Sequence, residues 1–348
     1  MNHTIAGTRL ANHQLADTKF TTRRQIVLWM GAMQAQDFNM AKWAIGVRIP
    51  GCTDKAVMES FNKGEILRTH VMRPTWHLVA PENIRWMLQL TAPRIISSMK
   101  SRDAELGVTG AFCAKGNRII EKALQGNNHL TREELGNILK TNGIPVDSSR
   151  MSHLMMHAEL TGLVCSGAMH GKKQTYALLE ERIPETKPLV RDEALAKLAR
   201  TYFTGHGPAT LQDFVWWSGL SVADARHGLE MVKQKFVSEK AGEQVYWMRA
   251  TSGFFAEDEA VRLLPAFDEY IVSYKDRKAT LPAENYHRII SSNGIFRPVV
   301  MKGGQVIGIW RKAVSKNRTI IADLFTKADK KTLKSIDEAE KELKRFLG

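Results

Sequence analysis

Gln34 and Gln36, with only Ala35 between them, are the pair of residues in this chain whose type and spacing could serve one reaction centre. A carboxamide offers an acceptor oxygen and a donor NH2. Two of them together could hold a water molecule and aim their dipoles at a developing positive charge. Being neutral, such a pair suits a substrate that already carries a good leaving group and needs no general acid. Glutamines near helix ends also commonly bond loop backbone, and the spacing alone favours that structural role.

Chemistry elsewhere in the chain is sparse. There is no phosphate-cradling glycine loop with lysine, no HExxH, no CxxC pair and no GxSxG. His153 and His157 form the one histidine pair at i, i+4. With no third ligand near them in sequence, a surface or phosphate-contacting role fits better than a metal site. Cys52, Cys113 and Cys165 lie far apart, so a disulfide framework is not expected and a reducing, cytoplasmic setting is. No lysine stands beside the glutamines, which argues against an amine nucleophile. No metal and no cofactor are expected.

Residues two apart share a face only in extended chain, since on a helix they point to different sides. If both glutamines serve one centre, the chain must leave helical geometry near Gln34. Ile26, Val27, Met30 and Met33 recur at helical spacing from a Thr21-Thr22 start, which predicts a helix from about Thr22 to Met33. A second helical pattern runs from about Phe38 to Val47, with Asp37 or Asn39 placed to cap it. The motif therefore sits at a junction between two helices. One further helix, Arg9 to Leu15, comes before this pair, and another, from Thr53-Asp54 to about Lys63, comes after it.

Two strand-like runs follow, 66–72 and 75–79, joined through Arg73-Pro74. Ala80-Pro81-Glu82 then starts another helix, with proline at an early position. Helices followed by a two-stranded ribbon have the layout of a winged helix. That order recurs. Thr131 to Glu134 reads as a capping box for a helix ending near Lys140, and Asp147 caps the next helix. Leu163-Val164-Cys165 and Thr175 to Leu178 then flank a basic tip, His170 to Lys173. A third copy runs from Arg191 through helices starting near Leu211 and Val222 to strands at 236–237 and 245–247. From Val261 the texture changes to short strands. Lys302-Gly303-Gly304-Gln305 marks a hairpin between 295–301 and 306–310, and a charged terminal helix over 327–346 turns Leu333, Ile336 and Leu343 inward.

The expected architecture is mainly α with short β-hairpins, an α+β class. It comprises a first winged helix over 1–80, a second over 81–185, a third over 186–250 and a C-terminal α+β cap over 251–348. The 348 residues hold 50 Lys plus Arg against 36 Asp plus Glu, and the resulting charge of +14 favours a polyanionic partner. Nucleic acid ranks first and an anionic membrane surface second. No run is long and apolar enough for a membrane span, so no membrane role is expected. No leucine heptad marks a dimerisation helix, which points to a monomer.

Three groups of residues, in order, carry a family resemblance. They are Gln34-Ala35-Gln36; Arg68 to Val79; and Leu264-Pro265-Ala266-Phe267-Asp268 with Arg297-Pro298-Val299 and Gly308 to Arg311. Together they resemble the winged-helix DNA-binding protein family that includes bacterial DNA glycosylases acting on alkylated purines and interstrand crosslinks. The resemblance implies tandem winged helices around a channel for double-stranded DNA, with the glutamine-apolar-glutamine motif as the catalytic element. Gln34 and Gln36 match its two ends. A sister group has an acidic second position; Gln36 marks the glutamine type. The chain departs from the pattern at Pro74 and Trp76, where glycine and a smaller apolar residue would be expected.

The implied activity is monofunctional hydrolysis of the N-glycosidic bond of N7-alkylated purines, with unhooking of crosslinks as an extension. Water is the nucleophile. The expected DNA contacts are His70, Arg73 and Trp76 on the first hairpin, Arg23 and Arg24 on the first unit, Lys172 and Lys173 on the second wing, and Arg311 and Lys312 after the last hairpin. The competing expectation is a non-catalytic tandem winged-helix regulator or architectural protein, which base release from methylated DNA distinguishes.

Overall fold

The computed structural model describes residues 2–250, 259–313 and 318–348. Helices and small antiparallel sheets form two compact units, one of residues 1–58 with 195–348 and one of residues 59–194.

In the first unit a four-stranded sheet runs in the order Ile320–Leu324, Gln305–Lys312, Val299–Lys302, Val261–Leu264. Its central hairpin turns at Gly303 and Gly304, both at positive φ, and pairs Lys302 with Gln305 as the glycine pair predicts. The edge strand Ile320–Leu324 is an addition to the expected hairpin. Leu10, Leu15, Leu264, Tyr270, Val299 and Met301 form part of one apolar core against this sheet. Trp43 donates its indole N–H to the Leu263 carbonyl at 2.6 Å, which ties the helix Phe38–Gly46 to the sheet edge.

The terminal helix Lys330–Leu347 packs Thr332, Ile336, Ala339, Leu343 and Phe346 inward. Leu333, expected inside, is instead 49% exposed. The buried stripe passes through position 332, and the next residue is turned about 100° away from it. Phe346 meets Trp43 with ring centroids 5.0 Å apart, and a Cβ on Gly46 would come within 2.5 Å of the Phe346 ring. Glycine is what allows this helix to close on its neighbour.

Arg48 is the unit's central tie. Its two terminal nitrogens donate to the two carboxylate oxygens of Asp268 at 2.8 Å each, its Nε to the His13 carbonyl at 2.9 Å and its Nη1 to the Ala44 carbonyl at 2.6 Å. Both side chains are fully buried. Nearby, His13 bonds the Tyr274 hydroxyl through Nε2 at 2.7 Å and meets His206 edge-on. Burial pushes His206 down to about 3, and burial next to His206, Arg48 and Arg9 puts His13 well below the usual histidine range.

Also in this unit, the helices Leu211–Ser218 and Val222–Glu230 precede the hairpin Val237–Ala241 with Gln244–Met248. Thr210 and Asp213 form the capping box that opens the first of these helices.

In the second unit the hairpin Leu67–Val71 with Arg73–Val79 differs from expectation at its turn. Arg73 and Pro74 lie in the strand, and the reversal falls on Met72 at φ 63, next to a bulge between His70 and Val71. The Met72 N–H donates to Thr91 Oγ1 at 3.1 Å, which pins this left-handed residue to the helix Pro81–Leu106. That helix is 26 residues long and carries Pro93 inside it. After the helix Gly110–Leu124, Thr131 and Glu134 form the expected capping box for Arg132–Thr141, and Asp147 caps Ser148–Leu160. The three strands Leu130–Thr131, Thr175–Leu178 and Val164–Ser166 follow in that spatial order. No described helix is long and apolar enough to cross a membrane.

Removing one partner of the Arg48–Asp268 pair leaves the other buried and unmatched. Asp268→Asn should therefore lower the unfolding free energy by about 3–5 kcal/mol in denaturant titration. A second outcome concerns pH. The unfolded chain protonates both histidines below about pH 6.5 while the native core keeps them neutral to much lower pH. Stability should thus be full above about pH 6.5 and fall as pH drops towards 3, by about 1.4 kcal/mol per unit for each histidine. Thermal unfolding between pH 8 and pH 5 should show this loss, and His206→Gln should flatten it.

Candidate active site and nucleic-acid contacts

The helix Arg23–Met30 opens with a capping box between Thr22 and Gln25 and ends at Gly31, φ 77. A Cβ there would sit 2.7 Å from the Thr201 methyl, so only glycine makes this turn without displacement. Ala32–Gln34 is extended, and Asp37 caps the next helix through the Met40 N–H at 3.1 Å. The helix ends at Met30, three residues short of the expected Met33, because Gly31 turns the chain and places Met33 in the strand. Gln34 is 8% exposed and Ala35 is fully buried, whereas Gln36 is exposed.

The main-chain N–H of Gln34 donates to Glu269 Oε1 at 2.6 Å. Glu269 begins the short helix Glu269–Val272, is 1% exposed, and accepts at Oε2 from Trp217 Nε1 at 3.1 Å and from the Ser273 hydroxyl. The His206 Nε2 lies 3.9 Å from that same oxygen. Asp268 and Glu269 are thus adjacent residues with different duties. Asp268 takes Arg48, beyond the helix that follows the motif, and Glu269 takes the motif itself.

The second unit gathers His70, Trp76 and Arg68. His70 is buried, and its N–H and Nδ1 both bond Glu159 Oε2, at 2.8 and 2.5 Å. Trp76 is paired across the hairpin with His70, with ring centroids 4.3 Å apart, and its indole N–H reaches Glu159 Oε1 at 3.4 Å. On the ring, Arg68 stacks its guanidinium 4.3 Å from the centroid while donating to Gln174 Oε1 at 2.5 Å. Arg68, Trp76, Glu159 and Gln174 line a half-open cleft of about 290 Å³ with Arg132 and Tyr176, and His70 lies outside its lining. His70, expected at the DNA surface, is instead spent inside, where burial leaves Glu159 as its partner.

Arg73 is half-buried and its Nη2 lies 3.4 Å from His77 Nε2. Burial, and then the Arg73 charge, lower the His77 pKa well below its usual range, so this ring stays neutral and its Nδ1–H donates to the Thr75 carbonyl at 2.9 Å.

Of the remaining expected contacts, Arg24, Lys172, Lys173, Arg311 and Lys312 are exposed and Arg23 is half-buried. Lys173 pairs with Glu133 at 2.9 Å. His153 and His157 each bond one oxygen of Asp103, at 2.6 and 2.8 Å, which accounts for their helical spacing. Among the described residues no cluster of three or more His, Cys, Asp or Glu could hold a metal ion.

Sequence reasoning overlooked Glu269 and Glu159. Glu269 directly follows the quoted Leu264-to-Asp268 segment, so a signal was at hand. Glu159, on an amphipathic helix, offered none.

Comparison with known proteins gives three findings. The family model described as DNA glycosylase AlkZ-like matches residues 27–346. An interstrand DNA cross-link repair glycosylase of Streptomyces sahachiroi is 23% identical over 340 residues, covering 91% of this chain and 88% of its own. The solved structure of the Streptomyces sahachiroi DNA glycosylase AlkZ matches with a TM-score of 0.84 at 20% identity, covering 99% of this chain and 96% of that one.

Glu159→Gln replaces an acceptor that serves three N–H donors. It should destabilise the protein by about 1–3 kcal/mol and free the indole of Trp76, read as increased acrylamide quenching of tryptophan fluorescence. Unchanged quenching would mean that Glu159 does not hold the ring.

Proposed function

Because this chain belongs to the AlkZ-like DNA glycosylase family, we propose that it hydrolyses the N-glycosidic bond of N7-alkylated purines in duplex DNA, with Gln34 and Gln36 positioning the attacking water. The observation that carries this reading is the non-helical stretch between Gly31 and Asp37, where the strand Ala32–Gln34 ends on one carboxamide and the exposed Gln36 follows one buried alanine later. An N7-alkylated purine is cationic. As the C1′–N9 bond breaks, its electron pair neutralises the base, so no acid is needed. Water then forms the new bond at C1′ and releases a proton to solvent. A carboxamide oxygen that accepts from this water also points its negative end at the oxocarbenium-like sugar.

Neutral groups give little help to an uncharged leaving group, and that is the source of selectivity for alkylated bases. The relative from Streptomyces sahachiroi is named for interstrand cross-link repair. A crosslink through two alkylated purines presents the same activated bond twice, so unhooking follows from the same chemistry.

In this reading the enzyme acts as a monomer. Three helix-and-hairpin modules, over 1–80, 81–185 and 186–250, serve as winged helices, with residues 251–348 as their cap. The recurrent order of helices and hairpin supports this, most fully in Arg132–Thr141, Ser148–Leu160 and the strands after them. Arg23, Arg24, Lys172, Lys173, Arg311 and Lys312 neutralise phosphates. Arg73 and Trp76 approach the duplex from the first hairpin, and His70 steadies Trp76 from behind.

Incubation with methylated duplex should release free 7-methylguanine. Gln34→Ala and Gln36→Ala should each slow release by about 10²–10³ with duplex binding retained. Duplex binding without release from any alkylated substrate would defeat the proposal.

A further inference from the structure

We infer that Glu269 is a positioning residue for the reaction, one that sets the conformation of Gln34 through its main-chain N–H. The inference rests on the catalytic reading of Gln34. Its basis is a 2.6 Å bond between a carboxylate that is 1% exposed and the peptide group of the motif residue. An ionised carboxylate only accepts hydrogen bonds, and this one faces three donors: the Gln34 N–H, the Trp217 indole N–H and the Ser273 hydroxyl. Trp217 lies on the helix Leu211–Ser218, and Ser273 directly follows the helix Glu269–Val272. The carboxylate is therefore oriented from behind before it meets the motif.

Its neighbour completes the device. Asp268 accepts both terminal nitrogens of Arg48 at 2.8 Å. Two consecutive carboxylates thereby hold the chain at Gln34 and again at Arg48, and Gln36 lies in the span between them. The backbone of Gln34 sets where its side chain starts, and a displacement of about 1 Å at a positioned group costs on the order of 10² in rate. Glu269 touches neither water nor DNA in this account; its effect passes through Gln34 alone.

Glu269→Gln keeps the size but puts an NH2 where one oxygen accepted, so one of the three donors loses its partner or must turn. Single-turnover release of 7-methylguanine by saturating enzyme should fall by about 10–100-fold, with affinity for duplex containing an abasic-site mimic changed less than about twofold. The decisive arm is the double variant Gln34→Ala with Glu269→Gln, which should be no slower than Gln34→Ala alone. The Gln34 amide proton, shifted downfield by its charge-assisted bond, should move upfield in Glu269→Gln.

A wild-type rate for Glu269→Gln beside a slow Gln34→Ala overturns the inference and leaves the catalytic reading standing. So does a Glu269 effect that multiplies the Gln34→Ala loss. A wild-type rate for Gln34→Ala overturns the catalytic reading itself. Should Glu269→Gln fail to fold, Ser273→Ala removes one donor from behind the carboxylate. It should slow release several-fold only where Gln34 is present, and an unchanged rate in that variant overturns the inference equally.

Discussion

The first unit depends on two adjacent buried carboxylates, Asp268 and Glu269, each supplied with donors that come from far along the chain. Arg48 reaches Asp268 across 220 positions and the Gln34 N–H reaches Glu269 across 235. Burying an acid is costly unless it is met by donors in good geometry. That demand fixes the relative placement of everything that supplies them. The helix junction at Gly31, the Trp217 helix and the neutral His13–His206 pair all converge on this short turn. In the proposed mechanism, function and folding draw on the same contacts, which leaves the motif residues little freedom of their own.

The neutral pair proposed as the catalytic element also fits the charge of the protein. Its excess of Lys and Arg, +14 overall, suits a DNA substrate. A further carboxylate at the reacting sugar would attract the cationic lesion but would also extend cleavage towards less activated bases. With two carboxamides in the proposed role, the rate would depend on how far the substrate is already activated, and discrimination would follow the leaving group more than shape.

Features set by neighbouring residues were readable from the sequence. The Gly303-Gly304 hairpin, the Thr131–Glu134 capping box, the Asp147 cap and the break before Gln34 each follow from residues a few positions apart. What escaped depended on distant partners or on mixed environments. The helix Pro81–Leu106 starts where proline at an early position places it, but its length escaped, because its buried positions are spread around it and Pro93 interrupts the pattern. The first hairpin turns at Met72 because Thr91, on that helix, accepts its N–H. His70 reads as a surface residue until Glu159, 89 positions away, is seen to take it inside. Glu269 stood beside a recognised segment, yet nothing local discloses which N–H it accepts.

In the proposed reaction the two glutamines supply position and dipole without a general acid. The most direct measurement compares excision of 7-methylguanine with that of hypoxanthine, an uncharged purine, from otherwise identical duplexes under single-turnover conditions. The cationic base should be released rapidly and the neutral one not at all over the same time. Release of both at similar rates would reveal a proton donor in the site and contradict the proposed reaction.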